Sequence, residues 1–181
     1  VEAVPHEVEL VRNSELPRVM GELGEVLKRR ASDEEAEAND PPVYLLIHGL
    51  QRFKKLKYED DFDFSFDSDA EGPGPGAQLN EIVTEGTSYG LHVVATVDTY
   101  NNVNRFLSRK SLSEFEMRVI FQMSQNDSAA LVDSPAASNL GLHRALFYNE
   151  HEGYLETFRP YALPGNEWVE EAGQALRRLI D

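Results

Sequence analysis

The chain contains no cysteine. Disulfides, thiol nucleophiles and cysteine-ligated zinc are thereby excluded, and the redox compartment is left open. No apolar run approaches the roughly 20 residues that span a bilayer. The first 20 residues have neither the basic start nor the apolar centre of a secretory leader. The expected location is the cytoplasm, with any membrane association left to segments outside this chain. Bases are scarce as well: 17 Lys and Arg stand against 32 Asp and Glu, for a net charge of −15. Phosphate contacts supply most of the non-specific affinity of DNA-binding domains, so a chain this acidic is a poor DNA binder by itself. It starts with Val rather than Met, which reads as a piece of a longer protein.

Several catalytic signatures are missing too. No G-x-x-x-x-G-K-[ST] loop is present to cradle a phosphate. The glycines of "GPGPGAQ" are followed by no Lys and no Ser or Thr, and proline removes the backbone N–H groups such a loop needs. No G-x-G-x-x-G follows a strand, and the G-x-S-x-G letters at residues 86–90 stand before a predicted strand, not after one as a nucleophile elbow requires. The five histidines (His6, His48, His92, His143 and His151) form no H-x-x-x-H or H-E-x-x-H pair, so no local zinc motif is expected. "DFDFSFDSDAEG" has acids at alternate positions, but it lacks the central Gly and the final Glu of a calcium loop. No metal and no cofactor is assigned to this chain.

What is present is an ordinary globular composition, with 181 residues and 41% apolar content, enough for one domain with a core. Residues 6–11 alternate polar and apolar and predict a short strand. Leu16, Val19, Met20, Leu23, Val26 and Leu27 recur at three- and four-residue spacing, an amphipathic helix with Ser14 as cap. "PPVYLLIHGLQRF", residues 41–53, carries five apolar residues from Val43 to Ile47, a buried strand that stops at His48-Gly49. Residues 77–90 predict a helix facing inward through Leu79, Ile82 and Val83. A second buried strand covers 91–98, with Thr96 placed in the core. Residues 99–115 predict a loop with one or two helical turns, and 117–124 a third strand. A short helix starting at Asn126 or Asp127 follows. A hairpin turning at "NEHEG" comes next, then a terminal helix capped by Asn166, with Trp168, Val169, Ala172, Leu176 and Leu179 inward. The alternation predicts an α/β fold with a mainly parallel sheet flanked by helices, closed by a C-terminal β-hairpin.

Residues 54–77 read as an insertion: basic "KKLK", then an acidic stretch with Phe62, Phe64 and Phe66, closed by "GPGPG". Residues 33–40 and 59–71 hold 5 and 7 acids and no base. Both read as solvated loops or disorder, with a short edge strand or docking peptide as the alternative for the phenylalanine-bearing one.

The order of the pieces resembles the C-terminal portion of the motor domain of FtsK/SpoIIIE-type ATPases, bacterial hexameric DNA pumps of RecA-like P-loop NTPase fold. "YGLHVVATVD", residues 89–98, looks like the strand that ends in a polar sensor. In "MRVIFQMSQNDSAALVDSPAASNLG", residues 117–141, Arg118, Phe121, Ser124, Asp127, Ser128, Asp133 and Gly141 fall in the family's order and spacing. The likeness covers about residues 43–181 and, more loosely, 6–30. "YLLIHGLQRF" is also similar to the variant strand of type VII secretion ATPases, with His48 where the acid stands and Gly49 where the DNA pumps have Glu. The resemblance implies a single partial motor domain whose phosphate-loop half lies before residue 1. It implies ATP and Mg²⁺ only if that loop exists, a homo-hexamer in the full-length motor, and DNA or a secreted protein as cargo.

The resemblance also selects candidate catalytic residues. His48 falls at a strand's carboxyl end, where open α/β sheets bind ligands; the alternative is a structural histidine. Asp98 matches the sensor position or caps the next turn. Arg118 reads as a trans-acting or sensor arginine, or as an ion pair within the fold. Arg105, Arg109 and Lys110 would touch a neighbour or DNA, or stay solvated, and His92 reads as structural. Imidazole is a poor ligand for a hard cation, so His48 in place of an acid implies impaired Mg²⁺ coordination. A non-catalytic, ATPase-derived scaffold that docks partners is the other reading.

Overall fold

A computed structural model describes residues 5–33, 40–58 and 73–180 of the chain. The acidic run 59–71, with its three phenylalanines and the calcium-loop likeness, lies outside the described residues, as does most of 33–40.

Helix α1 spans Leu16–Ser32 and buries Leu16, Val19, Met20 and Leu27, the stripe its spacing predicts. Ser14 does not cap it: Glu15 holds the cap position and no side chain bonds the first turn, which Pro17 opens. No strand forms over residues 6–11. Alternation supplies a face but no partner, and a strand needs a ladder. Glu9 instead pairs with Arg18, which also bonds Glu22 one turn on.

Strand β1 (Val43–Ile47) has the bounds read from its apolar run, and it pairs in parallel with β2 (Leu91–Ala95), Val43 opposite Leu91 and Ile47 opposite Ala95. Arg30, only 3% exposed, clasps the start of both strands. Its guanidinium donates to the carbonyls of Pro41 (2.8 Å) and Tyr89 (2.9 Å), while Nε lies 3.5 Å from Asp40 without completing a hydrogen bond.

Between the two strands, Leu50–Arg52 and Lys54–Leu56 form short 3-10 turns, with Leu50 and Leu56 buried. Helix α2 spans Pro75–Glu85, so the "GPGPG" segment does not only end the insertion. Its second proline opens a helix, where a missing N–H costs nothing. A side chain at Gly76 would collide with the Lys57 carbonyl, so glycine lets α2 sit directly on that loop.

After β2 come α3 (Tyr100–Phe106), α4 (Arg109–Glu114), β3 (Met117–Ile120), α5 (Gln125–Val132), β4 (Ala145–Asn149), β5 (Tyr154–Phe158) and α6 (Asn166–Ile180). The hairpin forms where predicted, and β3 joins it antiparallel to give a β3-β4-β5 sheet. The fold is thus mixed α/β with one two-stranded parallel sheet and one three-stranded antiparallel sheet, not a mainly parallel sheet. The helical segment between β2 and β3 does carry the chain across, but the two strands do not hydrogen-bond. Strand–helix alternation predicts elements and does not choose their pairing.

A continuous core joins Met20, Leu50, Leu56, Leu79, Ile82 and Leu91 to Phe106, Ile120, Leu131 and Leu146. Trp168 departs from its inward prediction: it is 61% exposed, and Leu176 and Leu179 are exposed as well. Val169 and Ala172 of the α6 stripe are half-buried, while Trp168, Leu176 and Leu179 stay uncovered among the described residues. Tyr44, Leu46 and Val94 likewise leave one face of the parallel pair open, although parallel sheets are normally covered on both faces. No helix among the described residues is long and apolar enough to cross a membrane.

Candidate functional site

The carboxyl ends of β1 and β2 lie side by side, which brings the His48-Gly49 turn against Thr96. The Thr96 hydroxyl accepts the Gly49 N–H at 2.8 Å and lies 3.3 Å from His48 Nδ1. Main-chain bonds from Thr96 to Ile47 and from Leu50 to Thr96, both 2.9 Å, lock the turn to β2. Thr96 is therefore not a core residue. It is exposed at the strand end, and its hydroxyl staples the turn. Gly49 takes φ 75° and ψ 67°, the left-handed region in which a side chain is strained. The turn is built for glycine. His48 itself is exposed.

Asp98 lies two residues beyond Thr96. Its carboxylate accepts from Asn102 Nδ2 at 2.7 Å and from Thr99 Oγ1 at 3.3 Å, while Thr99 Oγ1 caps α3 by accepting the Asn102 N–H. The Asn102 bond, helped by Thr99 and opposed by partial desolvation, holds the Asp98 carboxyl below its ordinary 3.8. The folded value is the lower one. Asp98 thus stabilises the α3 start fully above the ordinary value, and this contribution is lost as pH falls through the lowered one. Asn102→Ala is expected to move the Asp98 midpoint upward in a carboxyl-carbon NMR titration. An unmoved midpoint would show that another group sets it.

Arg118 is 14% exposed in its side chain and is committed to the fold. Nε donates to Phe115 O (2.8 Å), Nη1 to Leu131 O (2.6 Å), and Nη2 to Leu112 O (3.1 Å) and Glu150 Oε2 (2.8 Å). Tyr148 lies under the guanidinium, 5.6 Å away. Four of its five N–H groups thus close the carboxyl ends of α4 and α5 and pin β3 to the hairpin, a natural place for a cation.

Asp98 and Arg118 border one cleft of ≈ 380 Å³ between the end of β2 and β3, whose walls include Val97, Phe115, Val119 and Leu131. His48 does not line it. The three predicted residues are therefore not brought to one point: two share the cleft and the third crowns the neighbouring strand. His92 stacks on Tyr44 with ring centres 5.0 Å apart, in keeping with a structural role. Arg105, Arg109 and Lys110 are on the surface. Residue-by-residue reading missed Asn102, whose signal was present as an Asp-Thr-x-x-Asn spacing that fits a helix start.

Among the described residues, no three His, Asp or Glu side chains group as a metal site. A Mg²⁺-nucleotide does not fit what is here. His48 offers nitrogen, Gly49 offers no side chain, and the Asp98 carboxylate is turned onto Asn102 and Thr99. In comparison with known proteins, no family model and no curated sequence matches the chain.

Proposed function

We propose that this chain is the C-terminal part of an FtsK/SpoIIIE-like, RecA-type ATP-dependent translocase of DNA or protein, and that it does not hydrolyse ATP by itself. The observation that carries the reading is the parallel β1–β2 pair. Its carboxyl ends carry His48 in contact with Thr96, and Asp98 two residues further on, at the side where open α/β sheets hold ligands and in the order the resemblance implies. ATP and Mg²⁺ would enter only with a phosphate loop supplied from outside residues 1–181. A hexameric ring, cytoplasmic location and a bacterial DNA-moving or secretion role rest on the resemblance alone.

Calorimetric titration of Mg²⁺-ATP into residues 1–181 is expected to show no binding at millimolar nucleotide, with no phosphate released. Micromolar binding would overturn the assignment of a non-hydrolysing fragment. The translocase assignment is tested on a longer polypeptide that contains the chain. Nucleotide hydrolysis stimulated by DNA or by a cargo protein supports it, and the absence of any phosphate loop in that polypeptide sinks it.

A scaffold that docks protein partners is the second reading, favoured by the uncovered Trp168, Leu176 and Leu179 on α6. It requires partner binding that is indifferent to nucleotide.

A further inference from the structure

Helix α6 meets the rest of the chain along one flank only. Gly173 is buried and Val169 half-buried, so that flank is taken. The ridge beside it runs through Trp168, Ala172, Ala175 and Leu179, at intervals of four, three and four residues. Such spacing keeps one row of side chains facing a partner helix. Ala172 is half-buried, while Trp168 is 61% and Leu179 82% exposed. Bulk therefore stands at both ends of the ridge, with alanine between. Glu171 and Arg178 line the ridge on the side away from Val169. Both are exposed, and neither is held in an ion pair among the described residues. They stand seven residues apart, at equivalent places on the helix, with opposite sign.

We infer that this ridge is the contact surface for α6 of a second copy of the chain, the two helices antiparallel about a two-fold axis. Antiparallel alignment sets Trp168 against Leu179 of the second copy and Ala172 against Ala175. Large side chains meet at the ends, and the small central ones let the two backbones approach. The same alignment brings Glu171 beside Arg178 of the second copy, twice by symmetry. A parallel alignment puts like residues level with like, so both charges lack an opposite one. Charge also argues against a bilayer as the occupant. A helix lying on a membrane carries Lys and Arg along its polar face, whereas α6 has Glu167, Glu170 and Glu171 there, on a chain of net charge −15. A helix pair of about four turns buries less than the roughly 800 Å² per partner of a standard interface, so the dimer is a micromolar one. A two-fold contact closes on itself and is separate from any ring the resemblance implies. The inference rests on the reading of α6 as a docking face, not on the translocase reading.

Sedimentation equilibrium of the 181-residue chain, from about 1 to 300 μM, tests it. Monomer and dimer are expected, with a micromolar Kd that Mg²⁺-ATP leaves unchanged. Leu179→Glu should abolish the dimer while keeping the circular dichroism of the parent, because that side chain is exposed. Glu171→Arg should raise Kd roughly tenfold, since two attractions become two repulsions. Glu171→Arg combined with Arg178→Glu should return Kd to near the parent value, because the exchanged charges still meet across an antiparallel pair. The absence of native cysteine allows the direction to be read by cross-linking. On mild oxidation, Glu171→Cys copies mixed with Arg178→Cys copies should form the mixed disulfide in preference to either like one. A dimer that Leu179→Glu leaves intact, a charge exchange that does not rescue, or a preference for like disulfides would overturn the inference. A chain that stays monomeric over the whole range would overturn it too, while leaving α6 to a different protein partner. Flotation of such a monomer with phosphatidylglycerol vesicles would assign the ridge to a bilayer instead.

Discussion

Arg118→Met is expected to cost roughly 3 kcal/mol of folding stability, since each buried acceptor left unmet costs about 1–3 kcal/mol. For a domain of this size, the loss corresponds to a fall in Tm of about 6–12 °C. Methionine keeps most of the aliphatic bulk and removes every donor. The carbonyls of Leu112, Phe115 and Leu131 then lose their partner at the ends of two helices. The bond to Glu150 adds little, because that carboxylate is about half exposed. Arg118→Lys should recover only a minor part, since one ammonium cannot reach the points the planar fork reaches. Scanning calorimetry of the three proteins decides the matter. A Tm for Arg118→Met within about 2 °C of the parent would show that Arg118 is not the tie described here and would free it for a role toward a neighbour.

Gly49→Glu is expected to destabilise the chain by roughly 1–2 kcal/mol, the penalty for forcing an L-residue into the left-handed region. Its φ of 75° is held by the Gly49 N–H bond to Thr96 and by the main-chain bonds on either side, so the turn does not relax freely. An added Cβ would also lie 2.9 Å from Arg52 Cδ, a contact that the flexible arginine relieves by moving. Gly49→Ala should therefore cost about the same, and Gly49→Asn less, because Asn tolerates this region better. Urea denaturation of the three variants tests the backbone origin. Equal stability of Gly49→Ala and the parent would refute it. An acid placed here should not confer hydrolysis on residues 1–181, alone or with His48→Asp. In a longer polypeptide that carries a phosphate loop, His48→Asp is expected to raise Mg²⁺-dependent hydrolysis, and no change would place His48 away from the metal side.

Much of the chain was legible before any geometry. The apolar run Val43–Ile47 returns as a strand with the predicted bounds but buried on one face only, and the stripe Leu16, Val19, Met20 and Leu27 reappears as predicted, because burial of a continuous face outweighs weak local preferences. The loop after Asp98 carries its helical turns, and the hairpin turns where Gly153 allows a positive φ. The misreadings have one cause. Residues 6–11 alternate without a neighbour to pair with. Trp168 has the spacing of a buried face without a surface to cover it. Thr96, at the end of an apolar run, was assigned to the core, yet its hydroxyl is needed at the strand end.

The sequence by itself determined which segments are helices and strands, because apolar period and turn residues act over a few positions. It also excluded thiol chemistry and a phosphate loop within these 181 residues, because the first needs cysteine and the second an ordered Gly-Lys-Ser/Thr pattern, and neither is present. Only the tertiary structure decided that β2 and β3 stand apart around a cleft and that Arg118 is spent on helix ends. Only the folded chain, likewise, sets Gly49 in a conformation hostile to an acid. Those outcomes depend on which edges and carbonyls meet across tens of residues, and no local pattern encodes such meetings.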